Sequence, residues 1–337
     1  MIDEFNEICD RNKALLTFVS LIALLSTLPA FIRPEQPFDK KEELNKLVSD
    51  IKRENPDFIF IGNSMLGSRI DPVTFDSLTG KKCFLLWKGG AESSIWYLML
   101  KNAVVPSHVK PKAVFVYFRD TELTEPGYRT DGSYKQFIET FSRDDEKVLK
   151  KILSQNKNAR DLIKQGMTHI YPLLTCDSQK MMSTTAEYII NLVAEGCGRK
   201  FSLSELNAIM EYNNSIDKAI DCENDVSYKN NYDFQSALPD SFLPHIIRTA
   251  KSVHAIPIFI RVQKRPLGNM PPVQSDDLKR YISNLQDYLL KEKCIFYDFT
   301  GDPRITLSMY GIGDHIDDAF TRECTSIFVD TFKDILK

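Results

Sequence analysis

Five short apolar runs, each stopped by small, polar or glycine residues, constrain this chain more than any other feature. They are Phe58–Ile61 (FIFI), Cys83–Trp87 (CFLLW), Ala113–Phe118 (AVFVYF), Ile256–Val262 (IPIFIRV) and Cys294–Phe299 (CIFYDF). They are too short for helices and nearly continuous in apolar character, as strands buried on both faces must be. Between them the apolar residues recur at helical spacing: Leu44, Leu47, Val48 and Ile51, then Trp96 to Leu100, Ile246 with Ile247 and Ala250, Leu278 to Leu290, and Ala319 to Leu336. Strands alternating with helices predict an α/β three-layer sandwich around a parallel sheet of about five strands.

In a parallel sheet all strands end at one edge, and that edge is where such folds present chemistry. The first three runs end in Gly62-Asn63-Ser64, in Lys88-Gly89-Gly90-Ala91, and in Arg119-Asp120-Thr121-Glu122. Three loops that are weak signals separately thus make one candidate site. Ser64 reads as a nucleophile or as a serine in a turn. Gly89 and Gly90 read as backbone N–H donors close to a ligand, or as a tight strand-to-helix turn.

A serine nucleophile needs a base within hydrogen-bond reach, and a histidine base needs an acid to hold its tautomer. The chain has five histidines: His108, His169, His245, His254 and His315. Only His315 lies in a glycine-rich loop among acids, Tyr310-Gly311-Ile312-Gly313-Asp314-His315-Ile316-Asp317. Asp314 is the acid at hand, with Asp302 a distant substitute. His254, just before a strand, reads as structural. The loop Lys264-Arg265-Pro266 falls on the functional edge and reads as solvated rather than as an anion contact.

The remaining composition excludes more than it assigns. A net charge of -3 over 337 residues, with no long basic run, argues against nucleic acid as a partner. The seven cysteines include no Cys-x-x-Cys, so zinc spacing is absent and neither a metal nor a cofactor is expected. Cys176, Cys197 and Cys222 share one segment, where a disulfide is an open alternative.

Ala14 to Ile32 is an uncharged stretch of nineteen residues, about 28 Å long as a helix. It has no clean signal-peptide cleavage site, and only Thr and Ser interrupt it. The expectation is a cytoplasmic amino terminus (1–13) and a transmembrane anchor (14–32). Pro34 to Phe38 is then a linker opening the first half of the core (33–136). A strand-poor, helix-patterned insertion (137–235) and the second half of the core (236–337) follow. Basic residues flank the span on both sides, so they do not orient it. An anchor with its amino terminus inside places the rest of the chain in the periplasm or outside the cell.

Ile61-Gly62-Asn63-Ser64 followed by Arg69-Ile70-Asp71-Pro72 resembles the first block of the SGNH (GDSL-like) hydrolase superfamily, and the Tyr310–Phe320 stretch resembles its last block. The resemblance covers about 45–125 and 245–337. It implies a flavodoxin-like sandwich with Ser64 as nucleophile, His315 as base, Asp314 as acid and Gly89 or Gly90 in the oxyanion hole. The order of segments is similar to that of SGNH proteins that accompany membrane-bound O-acyltransferases in acylating surface polysaccharides. By that likeness the partners are such an acyltransferase, an acyl donor, acetyl foremost, and a glycan acceptor. Two positions depart from the pattern. The third block usually supplies an Asn, where this chain has Arg119-Asp120, so Arg119 or a backbone donor takes its place. The acid usually precedes the histidine by two or three residues, where this chain has Gly313 and Ile312. The rival reading is a non-catalytic, membrane-tethered accessory subunit that keeps the fold.

Overall fold

The structure is a computed structural model. It describes residues 40–125, 135–155 except 144, 232–266, and 274–337 except 312. The chain divides into two units, Met1–Glu42 and Glu43–Lys337, and the elements below belong to the second, save for the first three residues of the helix Lys40–Glu54. The expected membrane span 14–32, the linker after it and most of the expected insertion lie outside the described residues. No helix among the described residues is long and apolar enough to cross a membrane. Cys83, Cys294 and Cys324 are free thiols; Cys176, Cys197 and Cys222 are not among the described residues.

All five expected strands form. They are β1 (Phe58–Gly62), β2 (Cys83–Trp87), β3 (Ala113–Phe118), β4 (Ile256–Arg261) and β5 (Ile295–Asp298). They make one sheet in the order β2-β1-β3-β4-β5 with every neighbouring pair parallel. The chain leaves β1 outward to β2 and then returns past it to β3. The order therefore reverses between β1 and β3, and in open α/β sheets such a switch point is where a crevice forms at the carboxyl ends.

Side-chain alternation assigns each strand residue to a face. Ile59, Ile61, Val114, Val116 and Phe259 face one core, and Phe58, Phe60, Phe115, Tyr117, Ile258 and Ile260 the other. The first core is closed by the helices Lys40–Glu54, Ser93–Met99, Leu243–Ser252 and Asp276–Lys291, and the second by Pro72–Thr79 and Thr321–Thr331. These layers make the expected sandwich. Aromatic rings fill the second core: Phe60 stacks on Phe115 at 4.7 Å between centroids, and Phe328 meets both rings edge-on.

Two segments differ from a simple sequence reading. The helix after β2 widens into a π turn over Leu100–Val104 and resumes at Val105–Ser107. Pro106 has no N–H to give Asn102 and its ring crowds that carbonyl; the Asn102 oxygen accepts from Arg143 Nη2 instead, at 3.2 Å. The first part of the expected insertion forms two helices, Lys135–Phe141 and Lys147–Gln155. They are built into the sandwich, with Ile138, Phe141, Leu149 and Ile152 in the first core. Buried Asn102 fixes the join by donating to Phe141 O and Glu146 Oε1 at 2.6 and 2.7 Å.

Candidate active site

Ser64 stands two residues past the paired end of β1, at the crevice. Asn63 leaves the strand in extended geometry and its Oδ1 accepts from Met65 N at 2.9 Å, capping the one-turn helix Ser64–Gly67. Met65 and Leu66 are buried, which leaves Ser64 at the open edge. The turn fits closely on its neighbours. A Cβ on Gly62 would sit 2.8 Å from Leu66 Cβ and 3.1 Å from Tyr117 Cβ, and one on Gly67 would press on the Trp87 ring.

His315 arrives from the far end of the chain on a small antiparallel loop. Tyr310 bridges to Ile316, Gly311 N donates to His315 O at 2.9 Å, and Gly313 takes a left-handed φ of 59° at the bend. Three side-chain bonds pin this loop and the helix after it to the serine turn. Ile316 N donates to Ser68 Oγ (3.3 Å), Thr321 Oγ1 donates to Ser68 O (3.0 Å), and Arg69 Nη2 donates to Asp314 O (2.9 Å). The outcome is that His315 Nε2 and Ser64 Oγ, 251 residues apart in sequence, lie 2.8 Å from each other.

Asp314, the acid expected to orient the imidazole, meets groups from two other segments. Its Oδ2 accepts from Arg119 Nη1 at 2.5 Å and its Oδ1 from the Arg265 amide at 2.8 Å. Both carboxylate oxygens thus hold groups from other segments. Asp314 ties the end of β3 to the loop after β4.

Arg119 follows β3 as Ser64 follows β1, each three residues past the aligned pair Ile61 and Val116. Its backbone N and side chain both meet Glu122, at 2.8 and 3.5 Å. Burial works to lower the Arg119 pKa, but Glu122, Asp314 and Asp120 outweigh it and hold the guanidinium above the ordinary arginine value. It remains a cation beside the crevice.

Asp120, expected with Arg119 at the site, is buried and joins a charge cluster. Its φ of 46° turns the chain, Oδ1 accepts from Arg261 Nη2 at 2.8 Å, and Oδ2 pairs with Lys264 Nζ at 2.5 Å. Burial would raise its pKa, but Lys264 and Arg261 overcome that and keep it below the usual carboxylate range. Arg261 also pairs with Asp298 at 3.0 Å. The basic loop is therefore tied into the fold rather than merely solvated: Lys264 holds Asp120, and Arg265 Nη1 donates to Gly311 O at 3.0 Å.

Gly89 and Gly90 form the middle of a turn closed by Ala91 N donating to Lys88 O at 3.0 Å. Gly90 has φ 73°, the left-handed geometry a type II turn needs at its third residue. Gly62 and Trp87 are aligned partners, so Ser64 and Gly89 each stand two residues beyond the end of their strand. Both glycines thus lie on the same sheet edge as the serine turn. His254 and His108 take left-handed φ at the ends of helices, His254 as its structural reading expects.

Arg69 and Ser68, which hold the histidine loop in place, were not among the expected site residues. Arg69 belongs to the first-block motif, but nothing in its spacing marks a buried guanidinium aimed at a loop 245 residues away.

No family model matches the chain, and no curated protein is similar to it in sequence. Among solved structures, it aligns with a proposed acylhydrolase from Bacteroides fragilis at 10% identity and TM-score 0.39, over 86% of this chain and 97% of that one. It aligns with a GDSL-like lipase from Bacteroides thetaiotaomicron at 10% identity and TM-score 0.38, over 88% of this chain and 98% of that one.

Proposed function

We propose that this chain is a serine acyl-transfer enzyme of the SGNH type, an O-acyltransferase or esterase, and one observation carries the reading: Ser64 Oγ and His315 Nε2 within hydrogen-bond distance at the switch point of a parallel sheet. Ser64 Oγ attacks the carbonyl carbon of an acyl ester while its proton passes to His315 Nε2. The carbonyl oxygen becomes an oxyanion, and the Gly89 or Gly90 N–H groups and the Arg119 cation adjoin the place where that charge grows. When the ester C–O bond breaks, His315 returns the proton to the departing alkoxide and leaves an acyl-serine. A second hydroxyl, from a sugar or from water, then gives its proton to His315 and takes the acyl group, and His315 passes that proton to Ser64 Oγ as the acyl–serine bond breaks. In this scheme Asp314 fixes Arg119.

The setting belongs to the same proposal: the uncharged span 14–32 as an anchor with the catalytic unit outside the cytoplasmic membrane and, by the family resemblance, a surface polysaccharide as acceptor and a membrane-bound O-acyltransferase as partner. One observation favours the rival, a non-catalytic accessory subunit, namely that the Asp314 carboxylate is engaged by Arg119 and the Arg265 amide. A fluorophosphonate probe separates the two. The folded full-length protein is expected to be labelled, and Ser64→Ala and His315→Ala to lose the label. A folded wild type that stays unlabelled leaves the accessory reading standing.

A further inference from the structure

Arg69 is 95% buried, and its guanidinium pairs with no carboxylate among the described residues. Its side chain gathers three backbone carbonyls from three separate segments. Nη1 donates to Met65 O at 3.2 Å, and Nη2 donates to Gln263 O at 3.1 Å and to Asp314 O at 2.9 Å. Met65 is the chain neighbour of Ser64, Asp314 is the chain neighbour of His315, and Gln263 follows β4. A single planar group therefore spans the peptide next to the nucleophile and the peptide next to the base.

Desolvating an arginine without a counter-charge is costly, and a neutral amide would satisfy one or two carbonyls at less expense. What the guanidinium adds is geometry. Its donors are fixed in one plane, so bonding to three carbonyls sets the angles between segments as well as their distance. Ser68 on the same turn completes the clamp from the backbone side, through Ile316 N and Thr321 Oγ1. Thr325 Oγ1 donates to Arg69 O at 3.3 Å and holds the start of the clamp against the last helix.

Resting on the acyl-transfer reading above, we infer that Arg69 is the positioning residue of this site: it sets the distance between Ser64 and His315 without touching the reacting atoms. Attack by serine depends steeply on that distance, since misplacement by about 1 Å costs about 100-fold. Loss of the clamp therefore slows the chemical step and leaves binding of a small probe unchanged.

The test measures fluorophosphonate labelling of the full-length protein across probe concentrations, which separates the saturation constant from the maximal labelling rate, alongside thermal unfolding. Arg69→Met is expected to lower the maximal rate about 10- to 100-fold with an unchanged saturation constant. Arg69→Lys keeps a cation that reaches some of the carbonyls, and is expected to recover part of the loss. A folded Arg69→Met labelled within twofold of wild type overturns the inference, because a purely structural arginine would shift the melting temperature and spare the rate of the folded fraction. If Arg69→Met does not fold, Arg69→Lys decides alone: more than twofold slower supports the inference, and within twofold overturns it. A wild type that resists labelling, or a Ser64→Ala protein that labels equally well, fells the acyl-transfer reading and this inference with it. A labelled wild type with an unaffected Arg69→Met fells this inference only.

Discussion

Gly62→Ala probes the site without touching any group that would react. The new Cβ would lie 2.8 Å from Leu66 Cβ and 3.1 Å from Tyr117 Cβ, against the 3.4 Å at which ordinary contact begins. Both neighbours are Cβ atoms held by their own backbone, so neither can swing aside. Tyr117 sits in β3, hydrogen-bonded between β1 and β4, and gives least. The one-turn helix Ser64–Gly67 must therefore move, by about 0.6 Å, the gap left by van der Waals contact. A serine carried with it would open the 2.8 Å contact to His315 beyond the ordinary range of about 2.5–3.2 Å. Scaling from about 100-fold per Å, the labelling rate should fall roughly 10- to 20-fold. Overpacking of this kind costs about 1–3 kcal/mol, a minor part of the 5–15 kcal/mol typical of a folded domain. The loss of rate then cannot come from unfolded protein. The assay pairs fluorophosphonate labelling rates with urea unfolding. A Gly62→Ala protein labelled within twofold of wild type would show that the serine turn is not held against β3 as described, and would refute the reasoning.

Two further outcomes follow from the same geometry. Asp120 has a depressed carboxyl pKa, so its stabilisation is complete above the unfolded value of about 3.9 and is lost as pH falls through the lower folded value. In melts from pH 7 to pH 3, Asp120→Asn should begin on the order of 3 kcal/mol less stable and lose less on acidification; an acid limb parallel to that of wild type would contradict this. The paired glycines should behave differently. Gly90 has φ 73°, so Gly90→Ala should cost about 1–2 kcal/mol and slow labelling, whereas a Cβ on Gly89 meets nothing within 4 Å and Gly89→Ala should retain wild-type stability. Equal melting temperatures for the two variants would count against the turn.

Local sequence was enough wherever the physics was local. Strand ends came within a residue or two, because runs such as FIFI and AVFVYF bury both faces and have few other ways to do so. The helices Lys40–Glu54 and Leu243–Ser252 followed from their apolar spacing. Pro106 is visible in the sequence, yet whether it ends the helix or forces a π turn depends on Arg143 waiting for the freed carbonyl.

Ser64 and His315 were legible as individual residues, the one by its place after a buried strand and the other by elimination among five histidines. Their approach to 2.8 Å was not, because it depends on a sheet order and on clamps that span some 250 residues. The same holds for the carboxylates. Sequence named Asp314 and Asp120 but not the cations they meet, Arg119 for the one and the Arg261–Lys264 pair for the other. Backbone patterning is written in short-range periodicity, which any stretch carries with it. The partner a charged side chain takes is a long-range choice, made only once the strands are ordered and each loop has come to rest against the next.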